Sequence, residues 1–489
     1  MKKTSLLIGL CGLLLVSFQN VEPSANQPNI IYIMADDLGY AELGCYGQQK
    51  IKTPNLDKMA AEGLRFTNFY AGSPVCAPSR SVLLTGKHTG HTQVRDNQEF
   101  GGFDDENEFG QMPLTPNTET IATMLKSAGY TTACVGKWGL GGPNTTGIPR
   151  KHGFDFFYGY LDQKQAHNFY PTHLWRNEQW DTLRNKGILS HPKLNDDDKR
   201  NPEIYKKSIG QDYAGYHIRD EAIKFIKDNK SKPFFLYFTP TMPHLAIQVP
   251  DNEIDKFGYK FEEKPYFAEK GYTPHNRPRA AYATMISLLD EFVGNIIETL
   301  KKEGLDQNTI IFFTSDNGAT HDVGGVETDF FRSVGHLRGL KGSVYEGGIR
   351  VPMIVKWKGK IKPNTTTNQA SVAYDVMPTL RELCKISKPI ESDGNSLLPL
   401  LMGKQPKIER QLYWEFYSYG RQKAMRWGNW KVVLTDLQKN PNAKIQLYDL
   451  SKDESETTDL AAKHPDIVAK MQKMMEQSHS QAVLPQWNF

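Results

Sequence analysis

Apolar positions along the chain fall into two kinds of run. Short, continuous runs rich in β-branched and aromatic residues occur at 29–34 (NIIYIM), 234–238 (FFLYF), 309–313 (TIIFF) and 351–355 (VPMIV). Such runs read as strands buried on both faces, the pattern of a parallel sheet. Between them, at 54–62, 118–127, 213–228 and 282–302, apolar residues recur at three- and four-residue spacing, which predicts amphipathic helices. Alternation of the two makes a layered α/β domain, in which ligands collect at the carboxyl ends of the strands. After Trp357 the pattern changes. A helix at 375–384 leads into the loop SKPIESDGNSLLPLLMG, then into strand-like aromatic segments at 412–417, 424–427 and 430–434 and a closing amphipathic helix at 466–477. The expected architecture is a large domain over 27–390, with a mostly parallel central sheet flanked by helices, and a smaller α+β subdomain over 391–489 with an antiparallel sheet.

The first residues belong to neither domain. Lys2 and Lys3 precede an apolar run at 6–16, the charged and apolar regions of a secretory signal over roughly 1–20. The run is too short to span a bilayer, and no later stretch is long enough. The expectation is therefore a periplasmic or secreted protein after signal cleavage, with no membrane span. Cys11 lies inside this run behind Leu10, a poor context for lipid attachment.

With 39% hydrophobic and 23% charged residues in 489, the chain can bury a large core. The net charge of +4 falls to about +2 without Lys2 and Lys3, which gives no reason to expect nucleic acid as a partner. Cys45, Cys76, Cys134 and Cys384 are widely spaced, with no C-x-x-C pair, so neither a disulfide framework nor a zinc site is indicated.

Chemistry concentrates after the strand runs. Asp36 and Asp37 follow the first, and two adjacent carboxylates at a buried strand end are costly unless a cation offsets them. Asp316 and Asn317 follow the third, and the four hard oxygen donors suit Ca²⁺ or Mg²⁺ rather than zinc. Each pair alone would read as a turn or a helix cap; two pairs on comparable strand ends favour a metal. In 73–86 (SPVCAPSRSVLLTG), Cys76, Pro78 and Arg80 open a helix whose N-terminus would favour both a thiolate and an anionic substrate beside Arg80.

The C-x-P-x-R core at Cys76, Pro78 and Arg80, with the following Leu83-Leu84-Thr85-Gly86, resembles the signature of the formylglycine-dependent sulfatases of the alkaline-phosphatase-like superfamily. The likeness continues in order through PNIIYIMADDLGY, TPNLDKMAAEGLRFTNFY, GYTTACVGKWGLG, TSDNG, LKGSVYEGGIRVP, DVMPTL and QLYDLSKDESETTDL. It implies that a maturation enzyme oxidises Cys76 to formylglycine (3-oxoalanine), whose hydrate is the nucleophile. It further implies one Ca²⁺ held by Asp36, Asp37, Asp316, Asn317 and the modified Cys76, with Asp316 also able to accept the nucleophile's proton. Arg80, Lys137 and Lys341 match the family's basic residues around sulfate, and His244 matches the histidine that protonates the departing alcohol. The flanking glycines, Gly136 and Gly342, are typical of tight loops at a site.

One departure stands out. Many members read G-K-W-H-L-G where this chain has Gly139, so a histidine that helps expel sulfate is missing. His167, after the G-F-D-x-F-Y-G stretch, is the expected substitute, although a structural or substrate-contacting role fits it nearly as well. Gln163 is a second group expected near the sulfate. Residues 167–180, with His167, Asn168, Tyr170, His173, Trp175, Arg176 and Trp180, suit either a sugar grip or loop packing. Arg95, Asp96 and Asn97 are expected at the rim or behind it. The substrate implied is a sulfated saccharide, with sulfated galactose or N-acetylgalactosamine attacked from a chain end as the particular expectation. The alternatives are a phosphohydrolase using the same pocket and a non-catalytic sulfated-glycan-binding protein, the latter supported only by Gly139.

Overall fold

The structure, a computed structural model, describes residues 27–105, 107–108, 110–201, 203–405 and 409–488. The expected signal over 1–20 lies outside the described residues. A ten-stranded sheet runs in the order Thr365–Thr367, Leu64–Phe66, Met353–Trp357, Thr309–Ser315, Asn29–Ala35, Phe234–Thr239, Thr131–Lys137, Phe156–Tyr160, His173–Arg176 and Gln179–Thr182. Its five central members, from Thr309–Ser315 to Phe156–Tyr160, are mutually parallel, so their carboxyl ends share one edge.

Both faces of this sheet are covered, as the unbroken apolar runs require. Ile30, Tyr32 and Met34 point into one core, with Val82, Leu83 and Leu84 of the helix Cys76–Thr85. Ile31, Ile33 and Ala35 point into the other, filled by the helices Ala214–Asp228 and Pro278–Lys302. Among the described residues, Pro278–Lys302 alone is long and apolar enough to cross a membrane, and it is mostly buried in this core.

The run expected at 351–355 as a parallel strand is instead antiparallel to both its neighbours. The reason is direction of entry. The chain reaches it from Lys341 and the short helix Glu346–Ile349, already at the carboxyl edge, and so runs back away from the site. The strands Thr131–Lys137 and Phe156–Tyr160 were not visible as apolar runs because threonine and glycine interrupt them. At Gly136 that interruption is a requirement: with φ +125°, a Cβ there would stand 2.0 Å from the carbonyl oxygen of Thr239 on the neighbouring strand.

The C-terminal part is a four-stranded antiparallel sheet, Gln411–Phe416, Gln422–Trp427, Trp430–Leu434 and Gln446–Asp449. One face packs on the helix Pro465–Gln477 through Met425, Val432, Met471 and Met475. From the other, Leu412, Trp414 and Phe416 join the core beneath the helix Cys76–Thr85. The small sheet therefore buttresses the helix that carries Cys76.

Candidate active site

Five adjacent carboxyl ends build the site. Asp36 and Asp37 follow Asn29–Ala35, Asp316 and Asn317 follow Thr309–Ser315, and Lys137 ends Thr131–Lys137. His244 comes from the turn after Phe234–Thr239, and Gln163 lies three residues beyond Phe156–Tyr160. The parallel register brings together side chains as distant in sequence as Asp37 and Asn317, whose Oδ1 and Nδ2 are 2.8 Å apart.

Cys76 opens its helix facing this edge, buried, with Sγ 3.5 Å from Asp36 Oδ1 and 3.5 Å from Lys341 Nζ. Arg80, one turn along, donates from Nη1 to the carbonyl oxygen of Lys137 at 2.8 Å and from Nη2 to Asp316 Oδ2 at 2.9 Å. Lys137 Nζ donates to Asp36 Oδ2 at 2.7 Å, and Lys341 Nζ to Asp37 Oδ2 at 2.9 Å. Three buried carboxylates thus face two buried cations, Arg80 and Lys137, and the partly exposed Lys341, which offsets the desolvation that any one of them would suffer alone.

Burial opposes ionisation of Asp36, but Lys137, His244, Arg80 and Lys341 together hold its carboxyl well below the usual range. Asp316 goes the other way: burial, then the charge of Asp36, push it up to about 7. The helix start was expected to favour a thiolate at Cys76. Burial outweighs Lys137 and Lys341 and pushes the thiol up to about 12, so the unmodified cysteine is a protonated, weak nucleophile at neutral pH.

His244 donates from Nδ1 to the carbonyl oxygen of Leu245, which leaves Nε2 to accept from Lys341 Nζ. Burial and Lys341 hold its imidazole well below the ordinary value. His167 stacks on the His244 ring, with centroids 4.4 Å apart and planes 17° from parallel, and also touches the rings of His191 and Tyr272. Burial and His244 depress its pKa too. His191 and Tyr272 carry no motif and were invisible to the sequence reading.

Asn97 Oδ1 accepts the backbone N–H of Ala77 at 2.9 Å, which places it behind Cys76. Asp96 accepts from Ser418 Oγ at 2.6 Å, from the loop after the first C-terminal strand. Arg95 turns away from the rim to pair with Glu415 at 2.7 Å. Within 167–180 the packing alternative holds for several members. His173 is buried against Glu108 at 2.8 Å, Trp175 donates to the same carboxylate, and Trp180 stacks on His173 at 4.0 Å.

The site fits a hard divalent cation. Asp36, Asp37, Asp316 and Asn317 are fully buried oxygen donors, and Asn317 Oδ1 has no hydrogen-bond partner. Ligand atoms of Cys76 and His244 also lie within 4.8 Å of those of Asp36 and Asp37, but Lys341 already occupies the lone pair on Nε2 of His244. A second donor cluster, His88, His91 and Asp393, fits a metal poorly. His88 Nδ1 accepts the N–H of Gly90, which puts the ring proton on Nε2, toward Asp393, where a metal would need the lone pair.

A sequence model of the sulfatase family matches residues 28–386, and one described as the C-terminal part of N-sulphoglucosamine sulphohydrolase matches 340–481. The chain is 31% identical over 510 aligned positions to an N-acetylgalactosamine-6-O-sulfatase of Bacteroides thetaiotaomicron, covering 93% of each chain. It is 32% identical to human arylsulfatase A, over 89% of this chain and 84% of that one. Among solved structures, Ps i-CgsB in complex with k-i-k-neocarrahexaose superposes with a TM-score of 0.75 at 26% identity, covering 94% of each. A protein solved in connection with glycosaminoglycan metabolism by Bacteroides thetaiotaomicron superposes with 0.73 at 28% identity, covering 93% of this chain and 99% of that one. By its motifs, its site and this breadth of likeness, the chain belongs to the sulfatase family, the sulfuric ester hydrolases of the alkaline-phosphatase-like superfamily.

Proposed function

We propose that this sulfatase removes an O-sulfate from a saccharide, with a 6-O-sulfated N-acetylgalactosamine or galactose unit at a chain end as the first substrate to test. The observation that carries the reading is the set of three buried carboxylates paired with Arg80, Lys137 and Lys341 around Cys76. The choice of sugar rests on the 31% identical N-acetylgalactosamine-6-O-sulfatase and on the neighbour solved in complex with k-i-k-neocarrahexaose.

When present, the hydrate of a formylglycine at position 76 supplies the nucleophile, and a Ca²⁺ ion among Asp36, Asp37, Asp316 and Asn317 supplies positive charge. The chain's own groups do the rest. Arg80 and Lys137, pinned by the carboxylates and by the Lys137 carbonyl, are fixed donors facing the anion, so they need no reorganisation as charge develops. Arg80 Nε, buried and without a partner, is free for a sulfate oxygen. Lys341 Nζ and His244 Nε2, 3.1 Å apart, share a proton that can pass to the leaving alcohol oxygen.

Lys2, Lys3 and the apolar run behind them support export, and a maturation enzyme acting on Cys76 is the partner this chemistry requires. A division near residue 390 into catalytic and C-terminal parts is the matching domain reading. The experiment is sulfate release from a panel of sulfated monosaccharides and short oligosaccharides. The reading predicts turnover on 6-O-sulfated N-acetylgalactosamine or galactose, and no release from any member would overturn it.

A further inference from the structure

The place vacated by the family histidine is not empty of polar groups. Gly139 sits at φ +77°, and a Cβ built on it would stand 3.0 Å from Gln163 Cγ, 3.4 Å from Gln163 Cδ and 3.8 Å from Arg80 Cδ. A side chain at 139 would therefore point at Arg80 through the space that Gln163 fills. His167, the expected substitute, lies instead against the ring of His244.

The orientation of the Gln163 carboxamide follows from its neighbour. Asn97 Oδ1 already accepts from Ala77 N, so it can face only donors, and Gln163 Nε2 lies 3.5 Å from it. That turns Gln163 Oε1 the other way, where it is buried with no hydrogen-bond partner. Gln163 itself is only 5% exposed. An acceptor held in this way calls for a donor. Sulfate carries acceptors alone and cannot serve, whereas a hydroxyl can. The residue before Ala77 is position 76, whose matured hydrate carries two hydroxyls.

We propose that Gln163 Oε1 accepts a hydrogen bond from a hydroxyl of matured residue 76, holding the nucleophile from the place that a histidine at 139 would otherwise command. A carboxamide takes up no proton at neutral pH, so Gln163 positions that hydroxyl and does not act as a base. The proposal rests on the sulfatase reading above.

The test compares the parent with Gln163→Ala and Gln163→Glu, each with its conversion at residue 76 checked by mass. Two quantities are read: kcat and KM for sulfate release, and the rate at which an aminooxy probe labels residue 76 without substrate. Loss of an interaction made to the reacting group lowers kcat by ~10²-fold in Gln163→Ala with KM little changed. The hydrate also loses an acceptor, so the free aldehyde is more populated and labelling is several-fold faster. Gln163→Glu keeps the acceptor, so it recovers about tenfold or more of the lost kcat and restores slow labelling. Parent kcat and parent labelling in Gln163→Ala would overturn the proposal. Equal losses of activity and melting temperature in both variants, with unchanged labelling, would reduce Gln163 to a packing residue and overturn it too. Should the matured parent release no sulfate from any sugar, the reading of function fails while the labelling comparison still decides the role of Gln163.

Discussion

The ammonium of Lys341 stands 3.1 Å from Nε2 of His244. Because the other ring nitrogen is committed to the carbonyl of Leu245, this contact fixes the tautomer and makes the two side chains one proton-holding unit. Lys341 is in turn tied to Asp37, so the unit is anchored to the first strand end, beside Cys76. The rings of His167, His191 and Tyr272 wall it off on its far side.

A unit placed to protonate the departing oxygen matters most when that oxygen is basic. His244→Ala should slow release from a sugar sulfate, whose leaving alkoxide needs the proton, by ~10²–10⁴-fold. An aryl sulfate with a good phenolate leaving group should lose far less. Equal losses on both substrates, measured as kcat, would contradict the assignment.

Three buried carboxylates and the unpartnered Asn317 Oδ1 suit the site to a divalent cation. Treatment with a chelator should abolish sulfate release and lower the melting temperature, and added Ca²⁺ should restore both. At calcium a hundredfold above its dissociation constant, binding to the folded state alone adds about 2.7 kcal/mol. A melting temperature indifferent to chelator and calcium would contradict the site.

The C-terminal sheet is joined to the helix Glu346–Ile349 by a buried charge cluster. Lys431 Nζ lies 2.8 Å from Glu346 Oε1 and 2.8 Å from Glu456 Oε1, and Arg350 completes the group around Glu346. Lys431→Met would leave the buried Glu456 without its cation, and Glu346 with Arg350 alone, at a cost of about 3–5 kcal/mol. Denaturant unfolding checks this, and a loss below about 1 kcal/mol would contradict it.

His88, buried between Tyr413 and the loop at Asp393, is pushed down to about 4, chiefly by burial. A histidine whose folded pKa is depressed contributes stability that is fully present above its unfolded pKa near 6.5. That stability drains away as pH falls from there toward 4. The shift from 6.5 to about 4 corresponds to roughly 3 kcal/mol lost over that window. Melting curves between pH 7 and 4 should fall more steeply for the parent than for His88→Gln, and parallel slopes would contradict the account.

Much of this was legible in the chain. Parallel strands buried on both faces announce themselves as apolar runs, and the polar pairs behind them, Asp36-Asp37 and Asp316-Asn317, fall at the same edge for that reason. What sequence hides is depth and partnership. The N-terminus of the helix at Cys76 suggested a thiolate, but the burial that reverses this comes from parts of the chain far away in sequence. Strands such as Thr131–Lys137 escape notice because close approach of backbones needs glycine, which breaks the apolar run. Residues 167–180 offered aromatic and polar groups for a sugar, yet His173 and Trp175 turn inward to Glu108, a choice set by a contact some 65 residues away in sequence. The standing of Gln163 beside Gly139 could be read only once two loops were seen to meet.

The central claim is that residue 76 is the nucleophile in matured form. The most direct measurement is the mass of the peptide spanning residue 76 in catalytically active protein, taken alongside sulfate release. The account predicts a formylglycine mass, with sulfate release proportional to the converted fraction and absent in Cys76→Ala. Full activity in protein whose residue 76 is an unmodified cysteine would contradict it.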